Sequence, residues 1–252
     1  MRSAPTPPGG PLPRGHSSAS PAHGSPRLPS LAHSGLVDHI PQEDVERLER
    51  SLPLVPWQRG EDMPAPLRLD DHLYVVRAGM LALLEPASND HMVMTALLET
   101  GAIYSTLGNA RPPQGLALED SVVSPISGEA LEALIAKLPR LGRNLAEALS
   151  DRVAMLRETV AIVSEMRVED RLAARMHQLA ERSGVATRDG VKLRLALTHS
   201  QWGLAIGASR EAVTSAFGRL RARGLVSVVD REVTIPWEVV RARQDERERR
   251  DA

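Results

Sequence analysis

The 252-residue chain contains no cysteine, which removes disulfides, iron–sulfur clusters and thiolate-held haem or zinc in one step. No apolar run approaches the ~18 residues a membrane span needs, so a soluble, cytoplasmic protein is expected. A secretory signal is also missing, and the early prolines forbid the amphipathic helix of an organelle-targeting peptide. The net charge is only −1, so any nucleic-acid surface must be local. Lysine is almost absent: Lys137 and Lys192 stand alone, and arginine carries the remaining positive charge. No P-loop or dinucleotide-type glycine motif occurs. His72, His91, His177 and His199 share no ligand spacing, which points to surface or packing roles. No cofactor, no metal and no enzyme chemistry is implied.

What is present divides the chain into five parts. Residues 1–35 are rich in proline, serine and glycine, with too little apolar surface to offset ordering entropy. They read as a disordered tail, a flexible extension or the product of an early start codon. Residues 36–127 begin with a short helix over 41–52. Strand-like runs follow at 67–69, 72–77, 80–84, 91–98 and 116–123, broken by glycine, proline and aspartate. Short strands so spaced predict a small β jelly roll. Residues 128–166 are helical. A first helix spans 128–137, and Pro139 opens a longer one in which Leu149, Val153, Leu156, Val160 and Val163 alternate in steps of four and three. That spacing is a heptad seam. It could pack on its own domain, but a long helix after a small β domain needs somewhere to bury the stripe, and a parallel dimer is favoured. Met166, Arg167 and Val168 form the expected hinge.

Residues 167–240 make the next part, followed by a charged tail over 241–252. An amphipathic helix covers 168–182, with Leu172, Met176, Leu179 and Ala180 inward. A turn at Arg188, Asp189 and Gly190 leads to a period-two run over 191–197, read as a strand buried on one face. Thr198 then caps a short helix. Gly203 is small where a second helix must cross, and Gly207 supplies the backbone geometry of a tight turn. Ser209 caps the second helix, whose Val213, Ala216 and Leu220 point inward. The spacing is that of a helix-turn-helix. Gly224 is followed by a hairpin over 225–235 turning at Asp230 and Arg231, the wing. The fold class is therefore α+β: an N-terminal jelly roll, a long dimerisation helix and a C-terminal winged helix-turn-helix.

The second helix carries the chemistry. Arg210, Glu211, Thr214 and Ser215 stand near its start, and Arg219, Arg221 and Arg223 follow. Between residues 198 and 223 four arginines face one glutamate, so this segment is basic although the chain is not. An arginine can grip guanine O6 and N7 together, and a glutamate can accept from cytosine N4. Glu211 is the more telling of the pair, because a carboxylate near phosphates costs energy unless a specific donor meets it. A plain exposed helix with ordinary charges is the bland alternative, and the whole spacing pattern argues against it.

These motifs resemble the CRP/FNR superfamily of transcription regulators. The likeness runs from about residue 36 to 235, and is most specific at 198–213 and at Gly224, Leu225 and Val226. It implies phosphate contacts by Thr198 and Ser209, with His199, Ser200 and Arg219 as further candidates, and base reading by Arg210 and Glu211. A further base-reading arginine of the family is replaced by Ser215, so the preferred half-site is expected to differ at one pair. Ala186, Thr187, Arg188 and Asp189 fall where some relatives touch RNA polymerase during activation. The missing cysteines exclude a cysteine-ligated redox sensor. The sensor half, with Trp57 to Glu61, Leu73 to Gly79 and Glu99 to Tyr104, is similar to the family's cyclic-nucleotide fold. Its phosphate cassette departs from the pattern. Ser105, Thr106, Leu107 and Gly108 follow Tyr104 where a Gly-Glu pair is expected, and Arg111 precedes two prolines that donate no N–H.

The reading that follows is a sequence-specific DNA-binding regulator, an activator, acting as a homodimer on palindromic double-stranded DNA, with no cyclic AMP gate and no membrane partner. Either an unfamiliar effector or constitutive DNA competence fits the altered cassette. The competing reading is a ligand- or protein-binding module whose helix-turn-helix serves partner docking.

Overall fold

Alternating apolar side chains, interrupted by turn residues, give the N-terminal half its antiparallel ladders. The computed structural model describes residues 30–87, 92–108, 111–165 and 167–251. Helix α1 (Gln42–Ser51) precedes β1 (Val55–Trp57), β2 (His72–Ala78), β3 (Met80–Pro86), β4 (Met92–Glu99), β5 (Ile103–Ser105), β6 (Gln114–Ala117) and β7 (Ser121–Ser127). They form two facing sheets, ordered β1-β7-β2-β5 and β4-β3-β6. Trp57, Tyr74, Val76, Leu81, Leu83, Ala96, Leu98 and Val123 fill the space between, where the Tyr74 and Tyr104 rings stack 4.4 Å apart. Burial raises the pKa of both phenols, so they remain neutral donors.

Three sequence expectations need correction in this half. The run at 67–69 is not a strand: Ala65–Leu67 forms a single 3-10 turn, because Pro64 and Pro66 fix a tight φ and remove ladder donors. The run at 116–123 is two strands, split at Leu118, Glu119 and Asp120, where the Ser121 hydroxyl donates to Glu119 O (2.7 Å). The folded part also begins earlier than residue 36. Leu31 is fully buried beside Leu36, Val45 and Leu141, and Ser30 and Ser34 cap short 3-10 turns. Residues 1–29 of the tail expected over 1–35, the strand start at His91 and the hinge residue Met166 lie outside the described residues.

The other face of the first sheet is covered by α1, α2 (Gly128–Lys137) and α3 (Pro139–Val163). Buried Asn144 on α3 donates to Leu36 O (2.9 Å) and Asp38 O (2.8 Å), tying the helix to the N-terminal segment. Toward its C-terminal end α3 sends Thr159 and Ile162 inward. The seam points the other way. Leu149, Val153, Leu156 and Val160 are 36%, 49%, 37% and 62% exposed, and Val163 is half-buried.

The C-terminal half comprises α4 (Val168–Ser183), β8 (Val185–Ala186), β9 (Gly190–Lys192), α5 (His199–Ile206), α6 (Arg210–Ala222), β10 (Ser227–Val229), β11 (Glu232–Pro236) and α7 (Trp237–Asp251). The expected strand over 191–197 is a ladder only as far as Lys192. Beyond it Leu193, Leu195 and Leu197 keep the alternating burial, but a backbone bond from Leu193 N to Val233 O is what links that stretch to β11. Period-two burial thus records side-chain packing rather than strand pairing. The tail expected from 241 continues α7 to Asp251.

One core spans both halves. Leu172, Met176, Trp202, Ile206, Val213 and Leu220 of the C-terminal half join Met80, Ala82 and Met94 from the outer face of the β4-β3-β6 sheet. A bulge at Thr95, where Leu83 pairs Ala96 and Leu84 pairs Met94, flips the facing of β4 so that Met94 turns outward and Ala96 inward.

His177 on α4 sits half-buried, and burial, aided by the nearby charge of Arg243, pushes its pKa down from 6.5 to about 4. The unfolded chain binds more protons between those values. This group's contribution is therefore complete above about pH 6.5 and lost as pH falls toward 4. Urea unfolding of wild type and His177→Gln from pH 7.5 to 4 should show a shallower decline in the variant; parallel curves would contradict the assignment.

Candidate nucleic-acid interface

Helix α5 starts at a full capping box. The Thr198 hydroxyl accepts from Gln201 N (3.2 Å), and the Gln201 side chain accepts from Thr198 N (2.8 Å). Its end is set by Gly207, which adopts the left-handed conformation at φ 61°, ψ 51°. The turn into the second helix packs closely on the first: a Cβ on Gly203 would sit 2.5 Å from Ala208 O. The Ser209 hydroxyl then accepts from Ala212 N (3.2 Å) and opens α6. Val213, Ala216, Phe217 and Leu220 anchor α6, with Trp202 edge-on to Phe217.

This anchoring exposes the opposite face, including Arg210, Glu211, Thr214 and Ser215. Thr214 is already engaged: its hydroxyl donates to Arg210 O (2.9 Å) and lies 2.8 Å from His199 Nδ1. An Nδ1–H tautomer satisfies both contacts. The His199 ring stacks on Phe217 at 5.0 Å, so His199 locks the two helices together as well as standing at the N-terminus of α5.

A groove of about 490 Å³ runs between the helix pair and the wing. Thr198, His199, Ser200 and Arg210 line it together with Arg231. Arg231 was not a sequence candidate. It occupies the β10–β11 turn, where Asp230 (φ 49°) and Arg231 (φ 68°) both take the left-handed geometry of a two-residue hairpin. A turn arginine beside a recognition helix was the signal available in the sequence.

Arg219 lies elsewhere. It and Arg223 grip Glu169 of α4, Nε at 2.8 Å and Nη1 at 2.5 Å. The hydrogen bond from Arg219, followed by that from Arg223, holds the Glu169 carboxyl below its ordinary range despite partial desolvation. A phosphate at Arg219 must therefore compete with a carboxylate fifty residues away in sequence, which spacing alone does not reveal. Arg171, also unanticipated, donates to Glu165 O (3.0 Å) and reaches Gly207 O (3.5 Å), linking the end of α3 to the helix-turn-helix turn. On the other side of the domain, Ala186, Arg188 and Asp189 are exposed. Thr187 closes the β8–β9 turn onto Gly190 O (2.8 Å), while its own carbonyl accepts from Trp237 Nε1 (3.1 Å). Among the described residues no cluster of three histidine, aspartate or glutamate side chains could hold a metal, and no helix is long and apolar enough to cross a membrane.

The model of the Crp-like helix-turn-helix domain matches residues 170–237, from α4 through the wing. The transcriptional regulatory protein btr of Bordetella pertussis is 27% identical over 225 residues, covering 83% of this chain and 92% of that protein. Residues 170–237 are thus matched as a Crp-like helix-turn-helix domain, and the chain is similar to regulators of the CRP/FNR type. The anaerobic regulatory protein of Pasteurella multocida is 26% identical over 166 residues, 65% of this chain. The match spans 61% of that relative, less than two thirds of its length. The fold is repeated in a CooA mutant from Carboxydothermus hydrogenoformans, at TM-score 0.66 and 18% identity over 77% of this chain and 88% of that one. It recurs in the c-di-GMP responsive regulator CLP of Xanthomonas campestris, at TM-score 0.65 and 18% identity over 77% and 98%.

The close contact at Gly203 makes this Crp-like helix-turn-helix sensitive to one methyl. Gly203→Ala should destabilise the chain by about 1–3 kcal/mol, because the contacted atom is backbone and cannot rotate away. Equilibrium urea unfolding tests this, and an unchanged midpoint would refute the crossing geometry.

Proposed function

We propose that the protein is a sequence-specific DNA-binding transcription activator, acting in the cytoplasm as a homodimer on a palindromic site. The observation that carries this reading is the groove that gathers Thr198, His199, Ser200, Arg210 and Arg231 beside the exposed start of α6. Capped helix N-termini direct free N–H groups and positive dipole ends outward, which suits backbone phosphates. Thr198, Ser200 and Ser209 sit at two such ends. Arg210 and Glu211, one step further, are placed for the base edges of a major groove. Arg231 at the wing tip extends the basic surface along the backbone, and the exposed turn at Ala186, Arg188 and Asp189 offers RNA polymerase a surface.

Two features support the finer parts. The exposed stripe of Leu149, Val153, Leu156 and Val160 is a costly surface for a lone chain, and a second copy in parallel register would bury it while preserving two-fold symmetry between reading heads. Independence from cyclic AMP is favoured by the residues after Tyr104. Thr106 is fully buried, its hydroxyl donating to Leu69 O (2.8 Å), and no carboxylate follows to take a ribose.

Arg210→Ala should cost about 1–3 kcal/mol on a selected site and relax discrimination at one base pair in a competition assay. Equal weakening on every sequence would make Arg210 a phosphate ligand instead. The doubly substituted Val153→Glu/Val160→Glu chain should sediment as a folded monomer where wild type sediments as a dimer; an unchanged sedimentation coefficient would exclude this seam. Calorimetric titration with cyclic AMP should give no micromolar binding, and a micromolar isotherm would overturn the ungated reading.

A further inference from the structure

A cavity of about 380 Å³ lies where the outer face of β4, the C-terminal part of α3 and the middle of α4 meet. It shares no lining residue with the groove beside α6. Leu97, Ala102, Met155 and Leu179 give it apolar walls, and Arg152, Arg175 and Arg182 converge on it. Arginines from two helices rarely crowd one small space without matching acids, since each guanidinium repels the others.

The acids present do not match them. Glu158 accepts from Gln178 Nε2 (2.8 Å) and pairs with Arg182 at 3.4 Å, and Glu99 stands at the rim. Arg175, 4% exposed, donates Nη1 to Thr159 Oγ1 (3.2 Å) and to Gln178 Oε1, yet its buried Nε finds no acceptor. Arg152 forms no hydrogen bond or ion pair among the described residues. Burial, with Arg182 adding its repulsion, pulls the Arg152 and Arg175 guanidiniums down to about 10. Both remain cationic at neutral pH. The chain thus keeps charged, partly desolvated forks facing an open space of ligand size.

We propose that this cavity is an anion-binding effector site, taking a small molecule that carries a phosphate or carboxylate group on a partly apolar body. The guanidinium forks of Arg152 and Arg175 grip the anionic oxygens in bidentate fashion. Leu97, Met155 and Leu179 contact the apolar part. The walls belong to both halves of the molecule: β4 and α3 come from the sensor side, whereas α4 carries the helix-turn-helix. An occupant therefore holds α4 against α3 and biases where the reading heads stand. Binding itself is independent of the proposed DNA function; its regulatory consequence rests on that reading.

The test is calorimetric titration of the full chain with inorganic pyrophosphate in one arm and glutarate in the other, each against sodium chloride of equal ionic strength. Saturable one-to-one binding of at least one probe per chain is expected, and the active arm tells phosphate from carboxylate chemistry. Arg152→Gln and Arg175→Lys should each weaken it at least tenfold, whereas Arg210→Ala/Arg221→Ala should leave it unchanged. Should Arg175→Lys fail to fold, the half-exposed Arg152→Gln decides. Absence of saturable heat from either probe, wild-type affinity in Arg152→Gln, or loss in the DNA-face variant overturns the site. Failure of the wild-type chain to bind DNA, with probe binding intact, would instead count against the DNA function alone.

Discussion

The close crossing of α5 and α6 is the constraint on which the rest depends. Gly203 lets the turn that leads into the second helix pack at backbone contact distance, and Gly207 reverses the chain in a conformation that side chains resist. Those two positions fix the angle between the helices. That angle buries Trp202, Phe217 and Leu220 together, and leaves Arg210 and Glu211 on the opposite face. His199 adds a second clasp through Thr214 and Phe217. Apolar packing sets the platform, and the polar surface follows from it.

That platform is not isolated. The same apolar core continues into Met80, Ala82 and Met94 on the outer sheet of the roll, and the cluster of Arg152, Arg175 and Arg182 lies at the edge of this contact. The junction therefore combines a non-directional apolar contact with a charge arrangement short of counterions. An apolar contact tolerates sliding, whereas unpaired guanidiniums respond to whatever anion is supplied. Such a pairing gives the halves a defined resting arrangement and a point at which a small molecule could alter it.

Elements whose causes are local were legible in the sequence. The caps Thr198 and Ser209, the reversal at Gly207 and the inward set of α6 all follow from residue type and spacing within a few positions, and the structure places them as expected. The Thr198 to Gln201 capping box was equally local and went unread. Long-range causes were hidden. Leu31 is buried only because α1 and α3 fold over it, and Glu169 claims Arg219 across fifty residues. The run over 193–197 keeps strand-like burial although its ladder to β11 stops at Lys192, with one further backbone bond from Leu193 N to Val233 O. The buried Arg175 hides within an amphipathic pattern that, read by hydrophobicity alone, stops at its apolar neighbours.

The central claim is that two identical recognition helices enter successive major grooves of one duplex. Hydroxyl-radical footprinting on a fragment selected from genomic DNA tests it most directly. The account predicts protected patches related by two-fold symmetry, with half-sites about one helical turn, roughly 34 Å, apart. A single patch without symmetry, or protection that ignores sequence, would contradict it.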